Sequence, residues 1–162
     1  MKFIETAIEM EELIQNYYLD LADKCAANEG LKTILKMLAG DHEQHVVKFK
    51  QMAENECSEF KSTTAYETTI NFFRDLQKDN ETFSCDINQL NMYKKALDLV
   101  GKKLVFYNKC ESDLINKKNQ VILNEIIKEE NQHRFVLQNL IEMLSRPLEW
   151  VENAEFYHMD KY

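Results

Sequence analysis

Apolar residues recur every three to four positions along four long stretches of this chain, the spacing of one buried face on a helix. The predicted helices run from about Lys2 to Ala27, Leu31 to Cys57, Ile87 to Asp113 and Asn119 to Leu144. Asn28-Glu29-Gly30 reads as a stop between the first two, with Gly past the helix end; Ile115-Asn116-Lys117-Lys118 plays that part between the last two. Between the pairs, SEFKSTTAYETTINFFRDLQKDNETFSCD is polar at both ends and amphipathic in the middle (Ile70, Phe73, Leu76). It predicts a crossover carrying a short helix. After Ser145-Arg146-Pro147 the tail LEWVENAEFYHMDKY is too apolar to stay in solvent. With Pro in a first helical turn and Ser145 as its cap, it predicts a helical segment docked on the bundle or on a second subunit.

The two helix pairs repeat. An offset of 88 carries Ile34-Leu35 onto Ile122-Leu123 and Gln44-His45 onto Gln132-His133, and an offset of 89 carries Tyr18 onto Tyr107. Two helical hairpins joined by a long crossover predict an all-α, ferritin-like four-helix bundle. The expected single domain, 1–162, divides into hairpin 1 (2–57), crossover (58–86), hairpin 2 (87–144) and docked C-terminal segment (145–162). An ordinary bundle whose halves match by chance is the competing reading.

Composition narrows the class. A chain of 162 residues suits one domain that buries about two-thirds of its unfolded surface. Three Gly and one Pro are few for a fold rich in tight turns and point to long helices with short connections. A net charge of −8 with no basic stretch argues against nucleic acid or an anionic membrane surface as partner. No apolar run approaches the roughly 18 residues of a spanning helix. The start, MKFIETAIEMEE, puts acids where a signal peptide needs an apolar core. Cys25, Cys57, Cys85 and Cys110 form no CxxC pair and read as reduced thiols, so the expected location is the cytoplasm.

The predicted core stripes contain polar residues. They read Ile4, Ile8, Glu11, Gln15, Tyr18, Ala22, Cys25 on the first helix and Leu31, Leu35, Leu38, His42, His45, Phe49, Met52 on the second. The third gives Leu90, Tyr93, Leu97, Val100, Leu104, Tyr107, and the fourth Leu123, Ile126, Glu130, His133, Leu137, Leu140, Leu144. Counting back to the hairpin ends at about 1.5 Å per residue places Glu11, His42, His45, Glu130 and His133 at one level, about 17–24 Å from the turns. A buried carboxylate costs several kcal/mol unless neutralised, hydrogen-bonded or metal-bound. Three histidines and two carboxylates in one layer suit a metal site; a metal-free layer in which they pair with each other is the alternative. Tyr18 and Tyr107 are expected as hydrogen-bonded core residues, and Asp41, Glu43 and Glu129 as solvated. His158 is expected to be a surface or packing residue.

These residues resemble a known pattern. A Glu seven before a Tyr on one helix, then Glu-x-x-His on the next, repeated in a second pair, is similar to the ferritin-like di-iron carboxylate superfamily. The frames EELIQNYYLDLADKC, LKTILKMLAGDHEQHVVKF and VILNEIIKEENQHRFVLQNL resemble its rubrerythrin branch. The resemblance covers roughly 1–57 and 87–144. It implies a cytoplasmic redox or iron-handling protein, often a homodimer, that reduces peroxide or reacts with oxygen. No rubredoxin-like four-cysteine site is present, so electrons would come from an external donor protein.

Residue by residue, Glu11, His45, Glu130 and His133 match that pattern. The second-helix Glu position is His42, and the third-helix Glu position is Val100. Two carboxylates of the usual four are missing, so a second ion would be under-neutralised. Glu11, His42, His45 and Glu130 can surround one ion, with His133 joining it or staying beside it. Iron is the expected metal, with Mn or Zn also suited to this donor set. Lys103, one turn from Val100, is expected in solvent, or else brings a positive charge to the layer. Gly40 and Gly101 beside the altered positions imply close helix approach or an access path, since a mid-helix Gly costs about 1 kcal/mol relative to Ala. The leading function is a rubrerythrin-like metal-binding protein, an oxidoreductase if it is an enzyme. The alternative is a non-enzymatic scaffold with a degenerate or empty site, serving interaction, sensing or storage.

Overall fold

The computed structural model describes residues 2–25, 29–55 and 89–153, and among these are four helices and no strand. They are α1 (Lys2–Cys25), α2 (Glu29–Asn55), α3 (Gln89–Glu111) and α4 (Lys117–Asn153). The expected crossover helix and the end of the tail, with His158, lie outside the described residues.

Three boundaries differ from expectation. Gly30 belongs to the first turn of α2 and does not follow the end of α1. Asn116 starts α4: its Oδ1 accepts from the Lys118 backbone N–H at 2.9 Å, an N-cap bond that competes for a residue otherwise read as a stop. Its Nδ2 donates to the Asn55 carbonyl at 3.0 Å, which serves an orphan acceptor at the end of α2. Finally, α4 runs past Leu144 and through Pro147 to Asn153. Proline removes one helical N–H bond, and the helix formers on either side carry the helix across it.

Main contacts join α1 to α2 and α3 to α4, giving two hairpins, and further contacts join α2 to α4 and α1 to α3. Neighbours run antiparallel. Asn119, early in α4, donates to the Met52 carbonyl late in α2 at 3.2 Å. Tyr17, late in α1, donates its hydroxyl to the Met92 carbonyl early in α3 at 2.9 Å. Each helix therefore meets the same depth of its neighbours, and side chains from all four converge in layers.

Most of the expected stripe is buried, including Leu35, Leu38, Phe49, Leu123, Ile126 and Leu137. Ile8, Gln15, Leu90 and Leu97 are only half-buried. Met10, Ile14, Leu21, Met92, Leu99 and Phe106 fill the core beside them, so two adjacent positions per turn face inward, the wider stripe of a globular bundle. Phe3 packs edge-on against Phe49 and Tyr107 at one end. Full burial of each such side chain contributes roughly 1.5–3 kcal/mol. This apolar lattice holds the polar layer above it.

Candidate metal centre

Glu11 on α1, His42 and His45 on α2, Lys103 on α3 and Glu130 on α4 all have no exposed surface, and His133 is 3% exposed. His42 and His45 share one face of α2 because residues three apart do so on any helix, and Glu130 and His133 repeat this on α4. The five residues predicted from the seams thus lie in one buried layer. Lys103 joins them, so its expected place in solvent is overturned; a lysine one turn from Val100 faces the same way as Val100.

The hydrogen bonds can be assigned atom by atom. Lys103 Nζ donates to Glu130 Oε1 at 2.7 Å and to Glu11 Oε2 at 3.3 Å, and lies 3.1 Å from Glu11 Oε1. It is also 5.9 Å from the centre of the Tyr107 ring. Tyr107 donates its hydroxyl to the other Glu11 oxygen, Oε1, at 2.5 Å. His42 Nδ1 meets Glu11 Oε2 at 2.5 Å. A proton on Nδ1 suits that separation and leaves the lone pair on Nε2, buried and without a partner among the described residues, while Lys103 Nζ lies 3.3 Å from the same Nδ1. Tyr18 stacks on the His42 ring at 5.4 Å between centroids, and its hydroxyl has no hydrogen-bond partner among the described residues. Tyr107 is therefore a hydrogen-bonded core residue as expected, and Tyr18 is a packing one.

His45 bridges two environments. Nδ1 lies 3.2 Å from Glu11 Oε2 and 3.1 Å from Glu130 Oε1, while Nε2 lies 2.6 Å from Glu129 Oε2. Glu129 also accepts from Lys48 Nζ at 2.9 Å. His133 Nε2 lies 2.8 Å from Asp41 Oδ2, with its Nδ1 3.7 Å from Glu130 Oε1. Asp41 and Glu129, expected as simply solvated, hold the outer nitrogens of these two rings from the edge of the bundle. Glu43 is exposed.

Electrostatics follow from this geometry. Burial is the largest influence on Glu11 and would raise its pKa; the Lys103 ammonium, His42 and the hydrogen bonds from His42 and His45 together outweigh it and hold the carboxyl well below its usual range. Glu130 is brought down to about 2, burial again being outweighed only by Lys103, His42 and the His45 hydrogen bond acting together. Burial and the Lys103 charge depress His42 to about 4. Burial of His45 is outweighed by its hydrogen bonds to Glu11 and Glu130, which push it up to about 10. At neutral pH the layer thus holds two carboxylates, one ammonium, one imidazolium and a neutral His42. The charges of Glu11, Glu130, Lys103 and His45 cancel without a metal. Tyr18 and Tyr107 are raised well above the usual phenol value by burial and neighbouring carboxylates, and stay protonated.

One ligand atom from each of Glu11, His42, His45 and Glu130 lies within 4.8 Å of the others. Donors at this spacing can close on one ion by small inward movements once the Lys103 ammonium, 2.7 Å from Glu130 Oε1, has moved aside. Glu130 Oε2, His42 Nε2 and His133 Nδ1 are buried without hydrogen-bond partners among the described residues, as atoms awaiting a cation would be. The donors fit one ion in type and separation. They do not fit two, because Val100 offers no carboxylate and the Lys103 ammonium stands between Glu11 and Glu130. Gly40 and Gly101 allow no close helix approach: a methyl group on either would meet nothing within 4 Å, so both border open space.

Antiparallel helices with Glu and His donors projecting inward from facing helices define a ferritin-like bundle. A family model described as Rubrerythrin matches residues 2–141, and the chain belongs to that family. No match was found among curated proteins or among solved structures. No helix is long and apolar enough to cross a membrane among the described residues.

Two contributors were not anticipated from the sequence, Asp41 and Glu129, and for Lys103 the structure bears out the alternative of a positive charge in the layer over the expected place in solvent. A signal existed for Asp41 and Glu129. The offset of 88 that carries His45 onto His133 also carries Asp41 onto Glu129, so a carboxylate four residues before each histidine is itself repeated.

Proposed function

We propose that this protein is a ferritin-fold metal-binding protein whose core takes one divalent ion between Glu11, His42, His45 and Glu130. The observation that carries this reading is the convergence of those four buried donors from α1, α2 and α4. Iron is the proposed metal, and the proposed role is peroxide- or oxygen-linked redox chemistry or iron handling in the cytoplasm. Fe(II) held there would supply electrons to the oxidant. The chain's own residues would bind and orient the ion: Glu129 steadies His45 and Tyr107 steadies Glu11. Electrons would be replaced by an external donor protein, and the working unit would be a homodimer.

The test is thermal unfolding of anaerobically prepared protein with and without Fe(II), paired with His45→Ala. A ligand that binds only the folded state raises its melting temperature. The expected result is a rise for wild type, reversed by EDTA and lost in His45→Ala. An EDTA-insensitive melting curve in wild type would defeat the reading.

A second reading is favoured by one observation, the ammonium among the donors. A layer whose charges already cancel serves a scaffold that folds empty and acts in interaction, sensing or storage. Absence of peroxide consumption by the Fe(II)-loaded protein, with a suitable reductant present, would favour it.

A further inference from the structure

Lys103 is the member of the layer that the internal repeat does not explain. An offset of 89 pairs it with Ile14, a fully buried apolar residue of α1, and pairs Glu11 with Val100. Relative to its mate, α3 has therefore lost a carboxylate at one position and gained an ammonium one turn further on. A buried lysine is rare unless it is paired, and here its three N–H groups face Glu130 and both oxygens of Glu11.

We propose that Lys103 is a tethered cation that stands where a second metal ion would stand, neutralises Glu11 and Glu130 in the empty protein, and competes with any ion entering the layer. The inference deepens the single-ion reading above and names the residue that sets its limit. An ammonium 2.7 Å from Glu130 lies within coordinating reach of the carboxylates, and at that separation two cations repel strongly in a dry core. Binding a metal thus requires the Lys103 side chain to swing away from Glu11 or Glu130. A lysine's four-carbon stem permits that movement, whereas a backbone ligand would not.

The experiment compares wild type, Lys103→Met and Lys103→Met with Glu130→Gln. Zn(II) is the probe, its affinity read by chelator competition, and metal-free melting is read in EDTA. Methionine keeps the unbranched length and removes the charge. Lys103→Met is expected to melt several degrees below wild type when metal-free and to bind Zn(II) at least tenfold more tightly. Adding Glu130→Gln should restore at least half of the lost melting temperature, because the carboxylate left unpaired is then gone. If metal-free Lys103→Met does not fold, refolding with Zn(II) but not Mg(II) should recover it; failure to recover overturns the proposal.

Equal Zn(II) affinity in wild type and Lys103→Met overturns the proposal and leaves the single-ion reading standing. Binding by Lys103→Met alone sustains the proposal and removes the single-ion reading of wild type. Binding by neither defeats both.

Discussion

His45 and Glu129 face each other across α2 and α4 at 2.6 Å, and the internal repeat generates their mirror pair, His133 and Asp41, at 2.8 Å. In both cases a carboxylate at the bundle edge fixes an imidazole whose other nitrogen points into the core. Such outer hydrogen bonds set ring orientation and ligand basicity at metal sites. Glu129→Gln should therefore weaken metal binding about ten- to a hundredfold, the range for such partners, with little loss of helix content. Zn(II) competition and circular dichroism check it together; unchanged affinity would mean that His45 is oriented by packing alone.

Metal-free stability should peak near neutral pH. His45 keeps its proton up to about 10 in the folded chain against 6.5 ordinarily, so its stabilisation is complete below pH 6.5 and is lost as pH rises toward 10. His42, depressed from 6.5 to about 4, acts in the opposite sense, since the unfolded chain takes up the proton first. Its contribution is lost as pH falls from 6.5 to 4. Glu130, down to about 2 from 4.5, adds a loss between those values. Melting temperatures in EDTA across pH 3–10 should rise to about pH 6.5 and then fall; a flat alkaline limb would remove His45 from its bridging role.

Tyr107→Phe removes the hydroxyl that donates to Glu11. A buried hydrogen bond to a charged group contributes about 1.5–3 kcal/mol. Denaturant unfolding should show a loss in that range with an unchanged slope. Tyr18→Phe, which removes a hydroxyl without a hydrogen-bond partner among the described residues, should cost nothing measurable or stabilise slightly.

A second ion should not return by restoring carboxylates alone. Val100→Glu with His42→Glu rebuilds the four-carboxylate set, but Lys103 still stands between Glu11 and Glu130. Metal analysis should find little gain in that variant and about two ions per chain, as in the di-metal bundles, only when Lys103→Met is added. Two ions without that change would show that the ammonium yields freely.

Much of the helical plan was legible because a 3.6-residue apolar period and the repeat speak directly to helices and their pairing. Glu11, His42, His45, Glu130 and His133 were legible for the same reason: a polar residue inside an apolar seam is conspicuous. Lys103 was legible only as an alternative, since it sits one position to the side of Leu104 at the margin of the apolar stripe, and long charged side chains usually reach water. Asp41 and Glu129 were missed because a carboxylate beside a seam looks solvated until its partner across the helix pair is known. The end of α4 was misplaced because Ser-Arg-Pro signals a start more often than a continuation.

The most direct measurement is the number of Fe(II) ions bound per wild-type chain after anaerobic loading and removal of excess metal. About one ion per chain is the result expected from four convergent donors and one internal ammonium. Two ions would contradict it, and so would none.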